Sequence, residues 1–277
     1  MATLITLRTL ISSCSCFIHI PGKSKEIPIF APQLYMVVAG ISNLAEAKMS
    51  DTRVVSQFYR DPICRYSSEM KIWINNRGYI ELQWPFEESK FLNVVHFPKS
   101  QIKYDVLYNA LYENEHFAEG GNKSCTTYGW GARRYNLSIS AETKSSSIIG
   151  KMNVQFLSYS KCLNRFYAKS LNSTFENMNM FCASGVRRKQ LQKGLLCSKD
   201  QGAPLICNNT LIAIGTPITR CGYNSQFSFF QKLNITQMLD FSTLEKVIIG
   251  KGSKHKLSIL LVTLPIFFII YKHFLIL

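Results

Sequence analysis

Nine cysteines lie between residues 14 and 221, and none stands in a Cys-x-x-Cys pair or a Cys/His zinc spacing. Thiols in that number without metal-ligand spacing point to disulfides and an oxidising compartment rather than to metal. The odd count leaves at least one thiol unpaired or paired elsewhere. Five Asn-x-Ser/Thr sequons, at Asn122, Asn136, Asn172, Asn208 and Asn234, agree with a lumenal or secreted domain. A chain framed this way is expected in the secretory pathway, at the cell surface or outside the cell.

Between the cysteines, short runs rich in β-branched and aromatic residues recur between turn signals, among them "LYMVVAG", "RVVSQFY", "KMNVQFLSYS" and "TLIAIGT". This pattern predicts an all-β sandwich or barrel. A helical period is clearest in "FFQKLNITQMLDFSTLEKVI", where Phe230, Leu233, Met238, Phe241 and Leu244 form an apolar face. No internal repeat is present.

The C-terminus has a different composition. A small, basic linker over 246–256 leads into "LSILLVTLPIFFIIYKHFLIL" at 257–277, whose first 15 residues carry no charge. The full segment is long enough to span a bilayer, and membrane attachment through it is expected. Lys251, Lys254 and Lys256 precede it, a bias that would place the main domain in the cytosol, against the cysteines and sequons. A lipid-anchor signal with Gly250, Gly252 or Ser253 as the attachment point resolves that conflict, and both a spanning helix and an anchor signal stay open. At the other end, "MATLITLRTLISSCSCFIHI" reads either as a weak signal peptide or as part of the folded domain.

The motif "CSKDQGAPLIC" at 197–207 resembles the Cys-x-Gly-Asp-Ser-Gly-Gly-Pro-Leu signature of trypsin-like serine peptidases. Upstream, "CTTYGWG" at 125–131 resembles that family's Cys-x-x-x-Gly-Trp-Gly, and "NMFCAS" at 179–184 its Asn-Met-x-Cys-Ala-Gly. "NNRGYIELQWPF" at 75–86 and "LISSCSCF" at 10–17 are similar to the strands that carry its Asp and its His. The resemblance covers roughly residues 5–245, within a domain placed at 1–245. It implies an all-β fold of two six-stranded barrels, the first abbreviated at its N-terminus, followed by a C-terminal helix. It also implies that Cys125 pairs with Cys207, Cys162 with Cys182, and Cys197 with Cys221. Two of Cys14, Cys16 and Cys64 are left to form a further, nonstandard pair.

Peptide hydrolysis in this family needs a hydroxyl nucleophile, an imidazole base and a buried carboxylate that holds the imidazole in the right tautomer. Carried over residue by residue, the resemblance puts Gln201, Ser15 and Asn76 at those three positions. A carboxamide is not a nucleophile, and a serine hydroxyl cannot accept a proton near neutral pH. Lys199 replaces the glycine whose N–H helps form the oxyanion hole. By the same resemblance Leu195 stands where the family has the Asp at the base of its specificity pocket, and Thr216, Pro217 and Ile218 stand for the Ser-Trp-Gly that lines the family's cleft. Asp200 is retained, but no Ile-Val-Gly-Gly start precedes residue 10 to pair with it.

No second constellation offers a different chemistry. Glu113, His116 and Glu119 recur at three-residue steps, but one histidine and a drifting face make a weak metal site, so no metal and no cofactor are expected. The 32 Lys plus Arg against 17 Asp plus Glu leave a net charge of +15. The positive charges are scattered and not interleaved with aromatics, which argues against nucleic acid. The reading carried forward is an inactive serine protease homologue that binds an unknown protein partner. Two alternatives stand beside it: an active serine endopeptidase whose site residues are misaligned or whose sequence is incomplete, and a cationic surface protein that binds glycans or anionic lipid.

Overall fold

The computed structural model describes residues 1–19, 27–28, 31–67, 72–113, 125–130, 135–136, 141–142, 146–157, 162, 178–185, 196, 200–216, 227–240 and 245–246. The N-terminal half contributes β1 (Ala2–Leu4), β2 (Thr9–Ser12), β3 (Ile18–His19), β4 (Ile27–Pro28) and β5 (Met36–Val38). It continues through β6 (Thr52–Arg60), β7 (Arg65–Ser67), β8 (Ile72–Ile74) and β9 (Gly78–Leu82) to helix α1 (Gln101–Glu113). The second half holds β10 (Cys125–Gly129), β11 (Tyr135–Asn136), β12 (Ala141–Glu142), β13 (Gly150–Phe156) and β14 (Met180–Gly185). After these come β15 (Pro204–Cys207), β16 (Thr210–Gly215), β17 (Phe227–Lys232), a short helix α2 (Ile235–Leu239) and β18 (Glu245–Lys246).

Six strands of the second half close into a barrel in the order β10-β13-β14-β17-β16-β15. Alternation along β10 shows how the sequence specifies it: Cys125, Thr127 and Gly129 face inward, and Thr126 and Tyr128 face outward. The interior is aromatic. Phe156 stacks on Phe181 with centroids 4.8 Å apart, and Phe181 on Phe230 at 5.7 Å. Helix α1 seals one end, setting Tyr108 edge-on to Phe181 at 5.3 Å. Buried Tyr104 donates its hydroxyl to Ile212 O at 2.9 Å and accepts from Leu233 N at 3.1 Å. Burial raises the pKa of that phenol well above its ordinary value.

The hairpin between β15 and β16 turns on Asn208 and Asn209, with φ of 49° and 59°. Two successive left-handed residues between directly paired strands make the turn whose twist matches that of the strands, and asparagine tolerates that region well.

The N-terminal half is an open sheet of six strands in the order β1-β2-β9-β6-β18, with β5 also on β6. The expected pair of barrels, the first of them abbreviated, is met by one closed barrel and one half-barrel. Among the described residues β1 and β5, two strands of three residues each, do not pair, so the sheet stays open there. The half-barrel nevertheless has its own core, in which Phe17 stacks on Phe58 at 4.5 Å beside Leu10, Val55, Ile80 and Leu82. Gly78 admits that stack, because a Cβ there would lie 2.3 Å from Phe17 Cε2.

The apolar period is shared between two elements. Phe230 belongs to β17, Leu233 follows it, and among the described residues of this stretch Ile235–Leu239 is helical. Asn234 caps that helix through Oδ1, which accepts from Gln237 N at 3.1 Å. Burial at Phe230 serves the barrel and not a helix face, so the two periods overlap in the sequence. Phe241 and Leu244 lie outside the described residues, and β18 pairs Glu245 and Lys246 with Arg60 and Tyr59.

Among the described residues three disulfides are formed: Cys125–Cys207, Cys162–Cys182 and Cys14–Cys64. Cys16 is a free thiol, and Cys197 and Cys221 lie outside the described residues. The linker from 247 and the apolar segment 257–277 also lie outside them. Among the described residues no helix is long and apolar enough to cross a membrane.

Candidate functional site

The seam between the half-barrel and the closed barrel gathers residues far apart in sequence. Ser15 sits in a single 3₁₀ turn over Cys14–Cys16, immediately after β2, with Cys14 tied to Cys64. Asn76 lies in the turn entering β9, where Asn75 adopts a left-handed φ of 50°. Gln201 lies in the turn before β15, beside Gly202 at φ 80°. Gly202 cannot be replaced, since a Cβ would meet Met1 O at 2.2 Å and Ser12 Oγ at 2.4 Å in addition to the strained φ.

These three residues touch. Ser15 Oγ donates to Gln201 Oε1 at 3.1 Å, and Ser15 N donates to Asn76 Oδ1 at 2.9 Å. Asn76 Nδ2 donates to Thr216 Oγ1 at 2.9 Å, and Asn76 N donates to Gln231 Oε1 at 3.1 Å. Gln231 in turn donates from Nε2 to Met178 O and Asn179 O, both at 2.9 Å. Asn76 is 1% exposed and Gln231 0%, so this end of the network is a buried, hydrogen-bonded strut between the two halves, while Ser15 and Gln201 are half-buried.

Every member of this chain is neutral. A hydroxyl whose acceptor is a carboxamide oxygen has no group to take its proton near pH 7, and a carboxamide cannot stabilise a developing cation. Asn76 uses both ends of its amide, accepting from Ser15 and donating to Thr216, a role a neutral side chain fills without the cost of a buried charge. Among the described residues, no imidazole is hydrogen-bonded to Ser15, Cys16 or Gln201.

Cys16, which the sequence singled out only for its pairing, is also part of this site. Its thiol faces Gln201 Oε1 and Ser12 Oγ, each at 3.8 Å. Met1 N donates to Gln201 O at 2.6 Å; burial lowers the pKa of this amine, while Cys16 and Asp200 act in the opposite direction. Asp200 is 2% exposed and packs against Gly129, where a Cβ would come within 2.5 Å of Asp200 Oδ1. The first glycine of the 125–131 motif, Gly129, is therefore explained by the carboxylate of the 197–207 motif.

A second buried cluster crosses the same seam. Arg77 donates from Nε to Asp61 Oδ2 at 2.9 Å and from Nη1 to Lys232 O at 3.1 Å, and Ile63 N and Gln237 Nε2 reach Asp61 Oδ1. Both charged side chains are buried, at 2% and 0% exposure. No sequence motif signals this pair, although a charged residue flanked by Asn76 and Gly78 in an otherwise apolar strand start was a visible hint.

The remaining expected positions divide in two. Thr216 is buried, and its hydroxyl accepts from Asn76 at the seam. Lys199, Leu195, Pro217, Ile218, Asn122 and Asn172, as well as His116 and Glu119, lie outside the described residues. Asn208 is exposed, Asn234 is half-buried as a helix cap, and Asn136 lies in β11.

No family model matches this sequence, and no curated protein matches it. Among solved structures the chain is similar to the crystal structure of the scabies mite inactivated protease paralogue S-D1, with a TM-score of 0.57 and 17% identity over 88% of each chain. The likeness shows the fold: a closed six-stranded barrel beside a half-barrel, consistent with the chymotrypsin type.

Proposed function

We propose that this chain is a catalytically inactive serine protease homologue that works by binding protein, with Ser15, Asn76 and Gln201 at the positions where an active relative carries its triad. One observation carries the reading: Ser15 lies between Asn76 and Gln201, and no group among the three can take up a proton near neutral pH. The scabies mite structure is that of an inactivated protease paralogue, and the shared fold supports the same reading here. A fold kept without its chemistry leaves a rigid scaffold whose loops are available for partners.

Three disulfides and this fold are those of an extracellular or secretory protein. Membrane attachment through residues 257–277 belongs to the same proposal. Detergent phase separation of the full chain against one ended at residue 256 tests it, with only the full chain entering the detergent phase.

The catalytic part of the proposal is tested by exposing the folded chain to a diverse peptide library and sequencing the products. No cleavage above a heat-inactivated control is expected. Cleavage that disappears in Ser15→Ala would favour the active-endopeptidase reading.

A further inference from the structure

A cleft of about 380 Å³ lies on the outer face of the closed barrel, walled by His96, Tyr128, Lys151, Ile206, Asn208 and Asn209. Its floor is rigid. Tyr128 and Ile206 are outward-facing members of β10 and β15, and Lys151 is the direct cross-strand partner of Tyr128. His96 is held to the far side of the turn by a parallel bridge to Thr210, with Leu211 N donating to His96 O at 2.7 Å.

Asn208 belongs to this wall and is also the asparagine of the sequon Asn208-Asn209-Thr210. It is exposed, it sits in a two-residue turn, and the preceding Cys207 is locked to Cys125. A group attached there leaves the surface from a fixed stem at the edge of the cleft. The lining suits a sugar: the Tyr128 ring and the Ile206 side chain offer apolar area for the C–H face of a pyranose, while Lys151, His96 and Asn209 offer polar contacts.

We propose that Asn208 carries an N-linked glycan whose first sugars are seated in this cleft. Attachment forms a bond from Asn208 Nδ2 to the anomeric carbon of an oligosaccharide carried on a lipid pyrophosphate. The carbon–oxygen bond to the pyrophosphate breaks, and the lipid pyrophosphate departs as the amide nitrogen loses a proton. Seating needs little intrinsic affinity, because a short tether holds the sugars at an effective concentration in the millimolar range. The proposal rests on the secretory placement given above, but none of the residues of the Ser15–Gln201 seam takes part, so it stands or falls separately from the inactive-homologue reading.

The test uses the full chain from a glycosylating eukaryotic host. Peptide N-glycosidase in ¹⁸O water marks occupied sites by mass spectrometry, and its time course is followed on native and on denatured protein. Asn208 is expected to be occupied, with native release about two- to tenfold slower than from the denatured chain. Tyr128→Ser and, independently, the surface variant Lys151→Ala should each bring the native rate toward the denatured one. A non-glycosylated Asn208→Gln chain should bind free di-N-acetylchitobiose saturably, with the Tyr128 resonances shifting. An empty Asn208, native release as fast as denatured, or slow release that neither variant changes would overturn the proposal.

Discussion

Ser15 Oγ and Gln201 Oε1 are joined by a hydrogen bond of 3.1 Å although the two residues are 186 positions apart. The bond closes the seam between half-barrel and barrel with neutral groups, and Gln201→Ser follows directly as a test. A serine at 201 would face a serine at 15 with no base between them, so hydrolysis of peptide or activated ester should stay at background. Burst kinetics with an ester substrate check this, and an acyl-enzyme burst would show that an unseen base serves the site.

Asp61 and Arg77 form a buried pair, and removing one partner strands the charge of the other. Arg77→Met should cost about 3–5 kcal/mol in urea unfolding, because Asp61 keeps only neutral donors. The double change Asp61→Leu with Arg77→Met should cost clearly less than Arg77→Met alone. Equal losses in the single and double variants would contradict a charge-driven penalty.

Gly129→Ala drives a methyl group to within 2.5 Å of Asp200 Oδ1. Overpacking of this kind costs about 1–3 kcal/mol. The cost should shrink in an Asp200→Ala background, a coupling that a thermal double-mutant cycle reads directly.

Tyr59, Tyr79 and Tyr104 all have raised pKa values, chiefly from burial, with Tyr59 pushed up to about 12. The folded state therefore holds these protons more tightly than the unfolded chain does. Their contribution to stability is intact below the unfolded value near pH 10 and is lost as pH rises from there through about 12 and beyond. Absorbance at 295 nm alongside circular dichroism should show late tyrosine ionisation coinciding with alkaline unfolding. A single wave near pH 10 covering all 13 tyrosines with the fold intact would contradict it.

Much of this site is legible in the sequence because short motifs surround it. The 10–17, 75–86 and 197–207 stretches each carry a recognisable frame, and Ser15, Asn76 and Gln201, which stand in those frames, meet through hydrogen bonds in the structure. What the frames do not carry is the contact that each substituted residue makes. The partnership of Asn76 with Thr216 and Gln231 depends on the turn before β9 meeting the end of β16 and strand β17, and no local pattern encodes that. The pairing of Cys14 with Cys64 is similarly open at the level of sequence, since Cys16 is only two residues away; the 3₁₀ turn points Cys14 into the core and Cys16 toward Gln201.

Helix α1 is hidden for a different reason. Tyr104, Leu107, Tyr108 and Leu111 have helical spacing, and Ser100 Oγ accepts from Lys103 N as an N-terminal cap would. Tyrosines at two of the four positions weaken the apolar signal, and the barrel end that Tyr104 seals exists only in the tertiary structure. The short α2 is the converse case, where an apolar period belonging partly to β17 suggests a longer helix.

The most direct test of the central claim is labelling of the folded, glycosylated chain with a serine-directed fluorophosphonate, followed by mass spectrometry of the region around Ser15 and of the rest of the chain. The account predicts no adduct on wild type or on Gln201→Ser under conditions that label an active serine peptidase to completion. A stoichiometric adduct on any serine, abolished by heat denaturation, would contradict it.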